Sequence, residues 1–269
     1  MSADFKTALI TGASSGIGRA VAIWFARRGT IVYAAARRTS MLEELAAAGH
    51  GNIIPVALDV AKEQATVDTI QRIDDECGGL EMVMANAGVG DPTPGQHSTW
   101  PMVERVLKVN VTGAAATLTA VLPRMAKRGR GTIVGVSSIA ANRGLGAFSC
   151  YSGSKAFLSV FLESLQVDLH GTGVKVVCVE PGYVKSELND RMKGHVPMMF
   201  VVEAEHAAEK IGRAILSGKR VLTFPWQLAW GAAAMGMVPA AIYQPLAQKT
   251  SLPQVALHQA EQKQKAGGK

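Results

Sequence analysis

The run TGASSGIG, Thr11 to Gly18, stands between a short apolar stretch, KTALIT, and a segment with helical periodicity. Glycines at a strand-to-helix turn let the backbone approach a pyrophosphate, and the first helical turn offers that anion its unpaired N–H groups. Gly12 permits the tight turn, while Gly16 and Gly18 remove side chains where phosphate and sheet come close. The strand-turn-helix context gives the pattern its weight, so Gly12, Ser14, Ser15, Gly16, Ile17 and Gly18 are candidate dinucleotide contacts.

Beyond this loop, Val- and Ile-rich runs alternate with helical patterns through two-thirds of the chain. Strands are expected at KTALIT, TIVYAAA, IIPVALD, LEMVMAN, GTIVGVSS, VKVVCVEP and RVLTF. Helices are expected at Ile17 to Arg28, Ser40 to Ala48, Lys62 to Glu76, one long element from Trp100 to Arg128, Ser149 to His170 and Glu203 to Ser217. The alternation predicts an α/β fold: a Rossmann-type doubly wound sheet of seven parallel strands, with helices on both faces. With 269 residues and 48% hydrophobic content, the chain can bury the core of a single large domain, assigned to residues 1–225. An uncharged extension, 226–248, and a polar tail, 249–269, expected to be disordered, complete it.

The net charge of +7 includes a tail with four lysines against one glutamate, which leaves the body too weakly basic for a nucleic-acid binder. Its densest basic cluster, RMAKRGR (Arg124 to Arg130), reads as cations at a helix C-terminus before a glycine stop. Cys77, Cys150 and Cys178 form no CxxC pair, and the start MSADFKTALI has no secretory apolar stretch, so a cytoplasmic location is expected. The histidines show no metal-ligand spacing, and no metal is expected.

The second strand should end beside the adenosine ribose, where an acid would bind the 2'-hydroxyl of NAD. Ala36 occupies that place and Arg37 and Arg38 follow, a pair suited to a 2'-phosphate. NADP(H) is the expected cofactor.

Tyr151 and Lys155 lie four residues apart, on one face if the segment is helical, thirteen residues after Ser138. An ammonium beside a phenol favours its ionised form, so the pair predicts proton transfer near neutrality. TGxxxGxG, Asn86-Ala87-Gly88, Asn110, Ser138 and Tyr151-xxx-Lys155 together resemble the short-chain dehydrogenase/reductase family over residues 5–225. Ala85 replaces the first Asn of the frequent NNAG, and Gly153 stands where YxASK has Ala.

The resemblance implies that Tyr151 exchanges a proton with a carbonyl or alcohol oxygen while NADP(H) carries the hydride. It implies that Lys155 binds the nicotinamide ribose, that Ser138 polarises the substrate oxygen, and that Asn110 bends its helix and joins Lys155 to a proton path. Asp59 and Val60 resemble the adenine contacts, and Asn86, Ala87 and Gly88 the turn beside them. Pro181, Gly182, Val184 and Ser186 resemble the nicotinamide-binding stretch, Ser186 replacing the usual Thr. A homodimer or homotetramer through Trp100 to Arg128 and Ser149 to His170 is also implied.

Residues 183–202 should cover a small-molecule substrate; HVPMMFVV, with Leu145 and Phe148, points to an apolar carbonyl compound such as a steroid, acyl derivative or aromatic ketone, or else to plain core packing. From Val221 to Gln248 there is no charged side chain, although Trp226, Trp230 and Tyr243 are present. Pro225, Pro239 and Pro245 argue against a membrane span, leaving pocket cover, subunit contact or peripheral membrane attachment. Rival readings are a non-enzymatic NADP(H)-sensing scaffold, against which Ser138, Tyr151 and Lys155 stand, and a membrane-associated lipid-processing member of the same family.

Overall fold

The structure, a computed structural model, describes residues 4–49, 51–92, 94–187 and 199–248. Strands β1 (Thr7–Thr11), β2 (Ile31–Ala36), β3 (Ile53–Ala57), β4 (Met82–Ala85), β5 (Gly131–Val136), β6 (Val174–Pro181) and β7 (Val221–Phe224) form one sheet in the order β3-β2-β1-β4-β5-β6-β7. Every pairing is parallel. All seven expected strands therefore form. β1 and β4 are buried at every position, as continuous apolar runs between two helical layers must be.

One layer holds α1 (Gly16–Ala26), α2 (Thr39–Ala48) and α8 (Ala204–Ser217), with Phe25, Leu42 and Ile211 in its core. The other holds α3 (Glu63–Glu76), α5 (Ala114–Thr119) and α7 (Ser149–Asp168), with Ile70, Leu118 and Leu162. Strand order reverses between β1 and β4, and such a reversal opens a crevice at the carboxyl ends of the strands.

The single helix expected from Trp100 to Arg128 is broken into α4 (Trp100–Leu107), a π-helical turn (Lys108–Gly113), α5 and α6 (Leu122–Arg128). Pro123 sits in the first turn of α6, where its missing N–H is harmless, and so restarts a helix it could not continue. At Gly113 a Cβ would lie 2.6 Å from the Val60 carbonyl oxygen, so the π turn packs closely beneath the end of β3. Gly129, at φ 66°, ends α6 in the left-handed conformation, as the glycine stop predicts. The stretch is long and apolar enough to cross a membrane, yet half of that apolar window is buried within the domain.

The basic cluster has a structural use. Arg128 Nη1 donates to Asp74 Oδ2 at 2.8 Å and Nη2 to Oδ1 at 3.0 Å, while the Leu80 N–H donates to Oδ1 at 2.7 Å. Arg124 bonds the neighbouring Asp75. Burial alone would raise the Asp74 carboxyl, but these donors outweigh it and hold the carboxyl below its ordinary value.

The uncharged stretch, for which no helix was expected, is helical. Pro225 precedes α9 (Trp226–Met237), and residues 240–248 form a further helix after Pro239. Residues 188–198 of the expected substrate segment and the tail, 249–269, lie outside the described residues.

Candidate active site

Gly12 and Gly16 have φ of 67° and 57°, and so turn the chain out of β1 and into α1. A Cβ at Gly12 would lie 2.7 Å from Ala87 Cα, and one at Gly18 would press on Asn86 Nδ2 and the Gly12 carbonyl oxygen. At Gly16 it would meet only Ser186 Cβ, at 3.1 Å. Two glycines thus let the loop pack on β4, and the third keeps the space before α1 open. Asn86 fastens this arrangement: its Nδ2 donates to the Thr11 carbonyl at 2.9 Å and the Gly12 carbonyl at 3.2 Å.

The loop forms one wall of a cleft of about 320 Å³ at the strand carboxyl ends. Every nucleotide contact expected from sequence lines it except Gly18, which packs beneath the loop. Ala36 closes β2 without an acid, and Arg37 and Arg38 follow at the rim. Arg38 Nη2 donates to Ser14 Oγ at 2.9 Å and Ser15 Oγ at 2.8 Å, and Nη1 pairs with Glu187 at 2.7 Å. The guanidinium therefore lies across the phosphate loop and reaches the chain beyond β6. Loop, open helix terminus and arginine can hold the phosphates of a nicotinamide dinucleotide.

At the far end of the cleft, Tyr151 occupies the first turn of α7, with Lys155 one turn on; they are only 8% and 4% exposed. Lys155 Nζ donates to the Val136 carbonyl at 2.8 Å and lies 5.8 Å from the Tyr151 ring centre. Gly90, which the sequence motifs did not single out, makes room for this ring: a Cβ there would lie 2.6 Å from Tyr151 Cδ2. Ser138 follows β5 and accepts the Ala140 N–H at 3.1 Å, which caps a short 3-10 turn and directs its hydroxyl toward the tyrosine.

Asn110 sits in the π turn, so the helix is distorted where the resemblance required. Its Nδ2 donates to the Val89 carbonyl at 2.9 Å and to Ser154 Oγ at 3.0 Å, and its Oδ1 accepts the Val89 N–H at 2.8 Å. It pins the β4 loop to α7 behind Lys155.

The titration of the pair departs from the expectation of a phenol acidified by its neighbour. Burial holds Tyr151 above its ordinary value of 10; Ser138 acts the other way, and Tyr183 adds to the rise. Burial also lowers Lys155 to about 8, against a smaller opposing effect of Cys178. The ammonium is engaged by the Val136 carbonyl and withdrawn from water, so desolvation dominates its titration.

A second cavity, of about 220 Å³, joins the cleft at Ser138, Tyr151 and Gly182. Leu145 and Phe148 line it, as expected, together with Ile139, Ala140 and Tyr183. Its outer wall is Leu228, Gly231, Ala232 and Met235 of α9, a set the sequence reading missed, although Leu228, Ala232 and Met235 stand at helical spacing. Arg143 holds this wall in place. Its Nη2 donates to the Val238 carbonyl at 2.8 Å beyond the end of α9, and its guanidinium lies 4.6 Å from the Tyr243 ring centre. Tyr243 in turn donates to the Gly144 carbonyl at 2.6 Å.

Comparison with known proteins agrees with this geometry. Residues 6–196 match the family model for short chain dehydrogenase. The chain is 52% identical over 229 residues to an uncharacterized oxidoreductase of Myxococcus xanthus, covering 84% of this chain and 90% of that protein. It is 36% identical over 186 residues to serine 3-dehydrogenase of Agrobacterium fabrum, covering 67% and 73%. Among solved structures, a short-chain dehydrogenase from Sphingobium yanoikuyae in complex with NADPH superposes with a TM-score of 0.76 at 27% identity, covering 87% and 97%.

Proposed function

This chain belongs to the short-chain dehydrogenase/reductase family of oxidoreductases, and from that premise we propose that it interconverts an apolar ketone or aldehyde and its alcohol with NADP(H). One observation carries the reading: the cleft beneath the glycine loop and an apolar cavity meet at two hydroxyls, Ser138 and Tyr151, with Lys155 behind them. The phosphate loop, Asp59, Val60, Arg37 and Arg38 would hold the adenosine end, and Lys155, Gly182, Val184 and Ser186 the nicotinamide end. When bound, the dinucleotide supplies or accepts the hydride.

In reduction, Tyr151 gives its hydroxyl proton to the carbonyl oxygen as charge develops there, and Ser138 donates to the same oxygen. The high Tyr151 value suits this direction, since the phenol stays protonated at neutrality. Lys155, protonated below about pH 8, stabilises the phenolate that forms. Asn110 positions the loop and α7 on which these groups stand, and we assign it the link from Lys155 toward solvent. Assembly through the outer stripe of α7, where Phe157, Val160 and Val167 are exposed, belongs to the same reading.

The test is to follow NADPH absorbance with a panel of apolar ketones, aldehydes, steroids and acyl thioesters. Tyr151→Phe should bind NADPH as the parent does and lose turnover by about a hundredfold or more. Near-normal turnover by that variant would remove the assignment.

A further inference from the structure

Helix α9 has two apolar faces. Leu228, Ala232 and Met235 point into the substrate cavity, whereas Trp226, Trp230 and Met237 recur on the opposite side and are 69%, 74% and 80% exposed. At 100° per residue the two sets lie about half a turn apart, so a single helix, about 10 Å across, separates the cavity from the outside. The following helix, 240–248, adds Ile242 and Leu246, 56% and 58% exposed one turn apart. Exposure of this many large apolar side chains in one uncharged stretch is not ordinary surface.

We infer that this outer face docks on the interface of an anionic phospholipid bilayer, and that the site takes lipophilic carbonyl substrates dissolved there. The second half rests on the oxidoreductase reading; the first does not. Two features favour lipid over a protein partner. Two tryptophans one turn apart suit the headgroup boundary, where an indole ring is buried and its N–H still finds an oxygen. The chain continues from Lys249 with four lysines against one glutamate, which complements an anionic surface.

Arg143 and Tyr243 fix the pair of helices to the catalytic loop, so the docked face and the cavity wall move as one piece. An apolar substrate leaving the bilayer would meet the wall formed by Leu228, Ala232 and Met235 without crossing bulk water.

Flotation of the full chain with vesicles of equal parts phosphatidylcholine and phosphatidylglycerol tests the docking. The parent protein should float, with its tryptophan emission shifted to the blue. The Trp226→Ser, Trp230→Ser double variant should partition about a hundredfold more weakly, since each tryptophan contributes apolar burial worth about tenfold. Its turnover of a water-soluble ketone should stay unchanged, while turnover of a long-chain ketone held in the vesicles falls in parallel with flotation. Failure of the parent to float, or flotation that moderate salt abolishes and the double variant retains, would overturn the docking. So would a double variant that loses a subunit in sedimentation, since a second copy would then be what covers the face. Flotation without any turnover would leave the docking standing and sink the oxidoreductase reading instead.

Discussion

At the scale of single residues, Lys155 is a buried cation that donates to the Val136 carbonyl, and burial lowers it to about 8 from an ordinary 10.5. That difference corresponds to about 3 kcal/mol of destabilisation while the folded protein must carry the charge. The sign follows from proton counts. Below about pH 8 both states hold the proton and the cost is fully present; between about 8 and 10.5 only the unfolded chain keeps it, so stability rises with pH. Lys155→Met should therefore raise the melting temperature of the nucleotide-free protein at pH 7 by about 5 °C or more, with the gain shrinking toward pH 10. The parent should bind NADPH more weakly above about pH 8, where the ammonium is lost, and the same variant should abolish that dependence. Calorimetry and a binding titration across pH measure both; a lower melting temperature and an unchanged pH profile would show that Lys155 is not held at this cost.

Among the elements, α3, α6 and the start of β4 are tied by Asp74, whose carboxylate takes Arg128, Arg124 and the Leu80 N–H. Because its folded value lies below 3.8, its contribution is present above that pH and is lost as the pH falls through the lower folded value. Asp74→Asn leaves two arginines facing a neutral amide and should cost about 3 kcal/mol in chemical denaturation, with the deficit narrowing in acid; a change below about 0.5 kcal/mol would mean the pair is merely superficial. The element level also marks where the sequence was legible. The strands were, because parallel strands buried on both faces must be continuous apolar runs, and Ile133, Val134, Val177 and Val179 have no other place to go. The glycine loop and the Ser138, Tyr151, Lys155 set were legible because chemistry fixes their spacing. The bend at Asn110 followed from the family resemblance alone and the break at Pro123 was not legible, since apolar periodicity continues through both and it is the close contact of Gly113 with Val60 that marks the π turn. Nor was α9, whose two apolar faces erase the amphipathic signal by which a surface helix is read. Gly90 stayed hidden too, because its need appears only once the Tyr151 ring lies against it.

For the molecule as a whole, the cleft is bounded by β1, β2 and β3 on one side of the strand reversal and by β4, β5 and β6 on the other, so a nucleotide bound there contacts both halves of the sheet. Binding to the folded state alone stabilises it by about 2.7 kcal/mol at a hundredfold excess over the dissociation constant, equivalent to about 5–10 °C for a domain of this size. Arg38 is positioned to make that gain depend on a 2'-phosphate, since its guanidinium already spans Ser14 and Ser15. It is also paired with Glu187, and a phosphate at the same guanidinium competes with that carboxylate. Three measurements of melting temperature then form one prediction. NADPH should raise it more than NADH at equal concentration; Arg38→Ala should bring the two shifts together; and Glu187→Gln, which removes the competitor, should widen the difference. Equal shifts for the two nucleotides in the parent protein would show that the arginines serve the loop and not the cofactor, and the preference for NADP(H) would fall while the family and fold stood unchanged.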